Sequence, residues 1–200
     1  ERLQLAFEWG LPGYMNLQAD YERPLSREFS VHGGVRHPYT GCSVEGGARY
    51  ALVKSNRQQM LVTVSADVRF NLDPAFLGFR PMIAAGKRFD LGGKALDVQA
   101  QVGPDLDIRK YAGFPLFGGF NATFYANDTV ALFLESSLNQ KWVDDYTFRF
   151  NVVSFGIKFF PGEQKGKWEA NVGASAPAAA NYWAHHFGAI MGQANLYLDE

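Results

Sequence analysis

Alternation with a period of two runs through almost the whole chain, and it narrows the fold more than any other feature. Successive side chains of a β-strand point to opposite faces, so apolar residues at every second position mean one dry face and one wet face. In the clearest run Val62, Val64, Ala66, Val68 and Phe70 alternate with Thr63, Ser65, Asp67, Arg69 and Asn71. Leu3, Leu5, Phe7 and Trp9 oppose Arg2, Gln4 and Glu8, and Met15, Leu17, Ala19 and Tyr21 oppose Asn16, Gln18, Asp20 and Glu22. The second half continues with Phe120, Ala122 and Phe124, with Trp168, Ala170, Val172 and Ala174, and with Ala194, Leu196 and Leu198. After Val152 the phase slips, because Phe155, Ile157 and Phe159 carry the apolar face onward. An extra residue near Val152–Val153 is expected to make a β-bulge. About twelve segments of roughly 8 to 14 residues result, near or above the length a tilted strand needs to cross a bilayer.

Aromatic residues at 15% and 21 glycines favour pleated strands and tight turns over helices. No stretch approaches the roughly 20 apolar residues of a membrane-spanning helix. The connections alternate in length. Those at 10–14, 37–41, 72–79, 103–116 and 174–187 are mostly longer than those at 24–27, 55–57, 91–94 and 126–128. Short turns at one rim and loops at the other are the mark of an up-and-down barrel, with both termini on the short-turn side. The fold expected is all-β: one closed, up-and-down antiparallel β-barrel over residues 1–200, of about twelve strands, with eight or ten as alternatives.

Alternation alone leaves two choices, since a soluble barrel turns its apolar face inward and a membrane barrel turns it outward. Three features select the apolar outside and polar inside. The polar face carries charges of both signs, as in a lumen crossed by ion pairs. Rings gather at strand ends, among them Trp9, Tyr14, Tyr39, Phe79, Phe89, Phe114, Phe117, Trp142, Tyr146, Phe159, Phe160, Trp168, Trp183 and Phe187, as interfacial girdles do. Many apolar-face positions are Ala or Gly, too small to fill a soluble core. A net charge of −1 argues against a nucleic-acid partner.

In pattern, length and loop asymmetry the chain resembles small bacterial outer-membrane β-barrel proteins, and its strand count is similar to that of small monomeric sugar-acid porins. The resemblance implies an outer-membrane location and a lipid bilayer as surroundings. Sugar-acid porins tend to line the lumen with Arg and Lys, whereas this polar face is balanced in sign. Such barrels also usually end on an aromatic residue, while this sequence ends Leu196-Tyr197-Leu198-Asp199-Glu200. Its start at Glu1, without Met or leader, reads as a mature form.

The functional feature is collective. Arg2, Glu8, Asp20, Glu22, Arg36, Glu45, Arg49, Asp67, Arg69, Arg88, Asp90, Asp97, Arg149 and Glu169 are all expected to point into one lumen. If these charges pair, they form a structural network. If water separates them, they line a narrow passage for a small polar solute. The function expected is therefore a non-enzymatic channel, or a barrel that binds protein partners through its long loops. An outer-membrane enzyme acting on lipid or surface polysaccharide is one alternative, for which a Ser–His or Asp–His pair at the loop rim would be required. A soluble barrel holding an apolar ligand is the other.

Local motifs add little. His185-His186, with His32 and His37, lacks a carboxylate at a set distance, so neither a metal nor a catalytic site is assigned. Asp144 and Asp145 read as a loop tip. Gly92-Gly93 and Gly118-Gly119 lack phosphate-loop spacing and read as turns. Asn127-Asp128-Thr129 matches a glycosylation sequon, a pattern that arises readily by chance. Cys42, the single cysteine, excludes an intrachain disulfide, and no cofactor is implied.

Overall fold

The computed structural model describes residues 1–11, 14–37, 42–72, 75–108, 116–143, 146–160, 167–180 and 188–198, without the side chains at 11, 14, 107–108, 138–143, 146–151 and 177–180. Its strands are β1 (Arg2–Leu11), β2 (Tyr14–Pro24), β3 (Phe29–His37), β4 (Ser43–Ser55), β5 (Met60–Leu72), β6 (Ala75–Asp90), β7 (Ala95–Pro104), β8 (Leu106–Ile108), β9 (Leu116–Tyr125), β10 (Val130–Val143), β11 (Tyr146–Phe159), β12 (Trp168–Ala180) and β13 (Gly188–Tyr197). No helix occurs among the described residues. Consecutive strands pair antiparallel, except that β7 pairs with β9 and the short β8 only with β6, and β1 pairs with β13, so the sheet closes into a twelve-stranded barrel. The closing seam aligns Leu3 with Leu196 and Phe7 with Gly192, and Leu198 N donates to the Glu1 carbonyl at 2.9 Å.

The short strand β8 is β7 continued. Ile83 pairs with Val102, and Phe79 with Leu106, in one unbroken register interrupted only around Pro104 and Asp105. Pro81 sits at that interruption, where its missing N–H costs no ladder bond. Gly103 is needed there, because a side chain would press into Met82. A region that reads as a loop is thus partly strand. The same holds for the connection at 72–79, where β5 and β6 extend to Leu72 and Ala75. Antiparallel hairpins lengthen freely beyond a bilayer, because each added pair satisfies its own backbone groups.

The register shift expected near Val152 lies between β11 and β12, where Asn151 meets Ala179 and Val152 meets Pro177. The extra residue is Ala178 of β12, not a residue of β11, and the β10–β11 ladder runs through without a shift. Pro177 cannot donate to a ladder, which makes a bulge beside it inexpensive. A second shift lies between Ala51 and Val53, with Leu52 of β4 as the extra residue.

Turn chemistry sets the short-turn rim. Gly92 and Gly93 adopt φ of 70° and 87° between β6 and β7, a conformation that glycine takes at little cost. Between β9 and β10 the Asn127 side-chain oxygen accepts from the Thr129 and Val130 amides, both at 2.8 Å. Gly118 and Gly119 are strand residues of β9, not a turn, and the Gln101 side chain lies over Gly119.

The barrel has no apolar core. Among the described residues the buried apolar side chains are Phe76, Ala131, Phe133 and Ala189, while Leu5, Phe7, Leu17, Val68, Phe70, Ile83, Leu134, Phe155 and Ile190 are all exposed on the outer face. A continuous apolar belt of this kind is incompatible with water and suited to hydrocarbon. Trp9, Phe79, Phe89 and Phe159 stand exposed toward its edges. Two rings expected in the girdles are elsewhere. Phe117 points inward beneath Arg80, and Phe160 stacks on Tyr125 with centroids 5.5 Å apart. Tyr14, Tyr39, Phe114, Trp142, Tyr146, Trp183 and Phe187 lie outside the described side chains.

Candidate functional site in the barrel lumen

Because side chains directly opposite on paired strands share a face, the register turns the polar face into rows around the inner wall. One row runs Arg2, Glu22, His32, Gly47, Asp67, Arg80 across β1 to β6. Its charges alternate and are close: Arg2 to Glu22 is 2.7 Å, His32 Nε2 to Asp67 Oδ1 is 2.8 Å, and Arg80 reaches Asp105 at 2.9 Å. Glu22 also takes Arg49 at 3.1 Å and the Ser30 hydroxyl at 2.8 Å.

Asp105 is the most enclosed of these groups, 2% exposed, and it binds Arg69 at 3.3 Å as well as Arg80. A carboxylate so far from water needs compensation, since stranding one member of a buried pair costs about 3–5 kcal/mol. Rings supply a second restraint on the cations. Arg69 lies over Phe76 at 5.7 Å, Arg80 over Phe117 at 4.5 Å, Arg88 over Tyr125 at 4.9 Å, and Lys158 over Phe133 at 5.7 Å. Phe133 itself lies across Gly156 and Gly173, where any side chain would collide with its ring.

The predicted lumen residues distribute as follows. Arg36 pairs with Glu45 at 2.7 Å, and Arg88 grips Asp97 with two bonds of 2.6 and 2.7 Å. Arg49, Asp67 and Arg69 are bound to Glu22, His32 and Asp105. Glu169 accepts from Asn195 Nδ2 at 2.6 Å. Asp90 is displaced from the network: it is exposed at the rim and accepts from Gly92 N at 3.1 Å, because it begins the turn. The Arg149 side chain lies outside the described residues, as do Asp144, Asp145, His185 and His186.

The expected lumen set lacks Arg80, Asp105, Glu135 and Lys158, and it lacks His32 as well. His32 is an inward residue within β3. Arg80 was hidden by Pro81, although it shares parity with Arg88 on one strand. Asp105 was hidden in a presumed loop. Among the described residues no three His, Cys, Asp or Glu side chains gather as a metal site would require.

The lumen is hollow at the short-turn end. A cavity of about 780 Å³ there is lined by Arg49, Thr63, Ser65, Gln99 and Gln101 among others. Gln99 and Gln101 face inward yet are exposed, so the interior there is accessible to solvent rather than filled by packed side chains.

An apolar exterior, a closed twelve-stranded wall and a polar lumen, hollow at its short-turn end, define the class of outer-membrane-type β-barrels. No protein-family model matches the sequence, and no curated protein matches it. Solved structures do. A KdgM porin aligns over 100% of both chains with a TM-score of 0.69 and 11% identity. A NanC porin aligns over 98% of this chain and 99% of its own, with a TM-score of 0.72 and 8% identity. LpxR from Salmonella typhimurium aligns over 99% of this chain and 100% of its own, with a TM-score of 0.64 and 7% identity. At such identities the shared property is the fold.

Proposed function

We propose that the protein resides in a bacterial outer membrane and forms a narrow channel for small polar solutes. The observation that carries this reading is the inward-facing yet exposed pair Gln99 and Gln101 beside a cavity of about 780 Å³. A barrel acting only as a scaffold has no need of a hollow interior, and ion pairs alone would close it. Here the pairs lie along the wall, between strands that are neighbours or one strand apart, and leave the axis at this end to water. The likeness to structures titled as porins supports the same reading.

The enzyme alternative needs a Ser–His or Asp–His pair at the loop rim. The described Asp–His pair, Asp67 with His32, belongs to the ion-pair row inside the barrel. A soluble ligand barrel is opposed by the outward apolar belt.

The test is export, fractionation and reconstitution. The expected result is a heat-shifted band in the outer-membrane fraction and discrete conductance steps in planar bilayers. A folded, heat-modifiable barrel with no conductance would overturn the channel reading.

A further inference from the structure

Among the described residues the ion pairs of the inner wall gather on one side. Arg36, Arg49, Arg69, Arg80 and Arg88 all stand on β3 to β6, and each is bound to a carboxylate at 2.6 to 3.3 Å. Three of the five are also held over an aromatic ring. An arginine fixed between a carboxylate and a ring is largely neutralised and has few donors left to offer a passing anion.

The wall across the lumen is different. With twelve strands in the ring, the strand six places away is opposite, so β3 faces β10 and β5 faces β12. Glu135 of β10 accepts from Asn121 Nδ2 at 2.5 Å, and Glu169 of β12 accepts from Asn195 Nδ2 at 2.6 Å. An amide orients a carboxylate without cancelling its charge. The described cation facing inward on that wall, Lys158, lies over the Phe133 ring. Among the described residues the charge left without an ion-pair partner on that wall is negative, and across a narrow, low-dielectric bore it attracts counter-ions of positive sign.

We propose that the lumen passes small cationic and zwitterionic solutes in preference to anions, with Glu135 and Glu169 setting the preference. This rests on the channel reading above. Cationic groups would travel along β10 to β12, exchanging water for the carboxylates. Polyanions would meet arginines already occupied.

The experiment is a reversal-potential measurement on the purified, heat-modifiable barrel in planar bilayers under a potassium chloride gradient. Potassium is expected to permeate several-fold better than chloride at low salt. The preference should fade toward 1 M, where the screening length falls to about 3 Å. Glu135→Gln and Glu169→Gln, singly and together, should lower the ratio stepwise, with folding checked by the same heat shift. Liposome swelling should be faster with arginine hydrochloride than with sodium glutamate. Chloride preference in the wild type, or an unchanged ratio in the folded double variant, would overturn the proposal. Absence of any conductance would instead remove the channel reading on which it rests.

Discussion

His32 Nε2 and Asp67 Oδ1 lie 2.8 Å apart although their strands are not neighbours: β4 runs between them, and its residue at that level is Gly47. The contact exists because Gly47 has no side chain. A methyl group there would fall 2.6 Å from the Ala66 carbonyl oxygen and 2.9 Å from His32 Nε2. Small residues in a membrane barrel thus serve the lumen, letting charges reach across a strand to a partner two staves away.

Gly47→Ala is therefore expected to destabilise the barrel by about 1–3 kcal/mol, the usual range for overpacking a site whose neighbours include backbone. Urea unfolding in detergent micelles, followed by tryptophan fluorescence, would measure it. An unchanged midpoint would mean that the His32–Asp67 contact does not depend on the gap.

Asp105→Asn should cost more. It removes the charge that binds both Arg69 and Arg80, 19% and 15% exposed, and loss of one partner in such a buried group costs about 3–5 kcal/mol. Replacing Arg80 by Met in the same chain should recover part of the loss. A double-mutant cycle over Asp105 and Arg80 with no coupling would refute the pairing.

The two faces of the wall predict opposite responses to the same substitution. Leu134→Arg places a charge in the apolar belt and should cost about 2–4 kcal/mol near the bilayer midplane. Gln101→Arg places it in the hydrated lumen and should leave the folded fraction nearly unchanged. Refolding yield into lipid vesicles, read from the heat-shifted band, compares them directly. Equal losses would contradict the assignment of faces.

Asn127→Ala removes the acceptor for the Thr129 and Val130 amides, and a loss of about 1 kcal/mol is expected for such bonds. The same contacts give the sequon-like Asn127-Asp128-Thr129 a structural reason. Faster hydrogen exchange at Thr129 and Val130 in the variant, with the rest of the barrel unaffected, would bear it out.

Much of the fold was legible in the residues. Val62 to Asn71 alternates without a break because each strand must present one face to lipid and one to the lumen, and that demand leaves its mark at every position. The count of twelve followed from such runs. What escaped notice lay where the alternation is locally overridden. Pro81 concealed that Arg80 belongs to β6, and Pro104 concealed that the chain resumes the same stave as β8. Phe117 was expected in a girdle, yet it lines the lumen, because Arg80 covers it.

The sequence by itself determined which residues share a face, since a period of two is a local property of the extended backbone. It also determined that one face is charged in both signs. Only the tertiary structure decided who pairs with whom. Glu22 meets Arg2 and Arg49, and Asp105 meets Arg69 and Arg80, through register between strands and closure of β1 onto β13. Register is a relation between distant segments, and a slip of two residues would keep every face intact while exchanging every partner. That is why the lumen's polarity could be read along the chain, and the pairing of its charges could not.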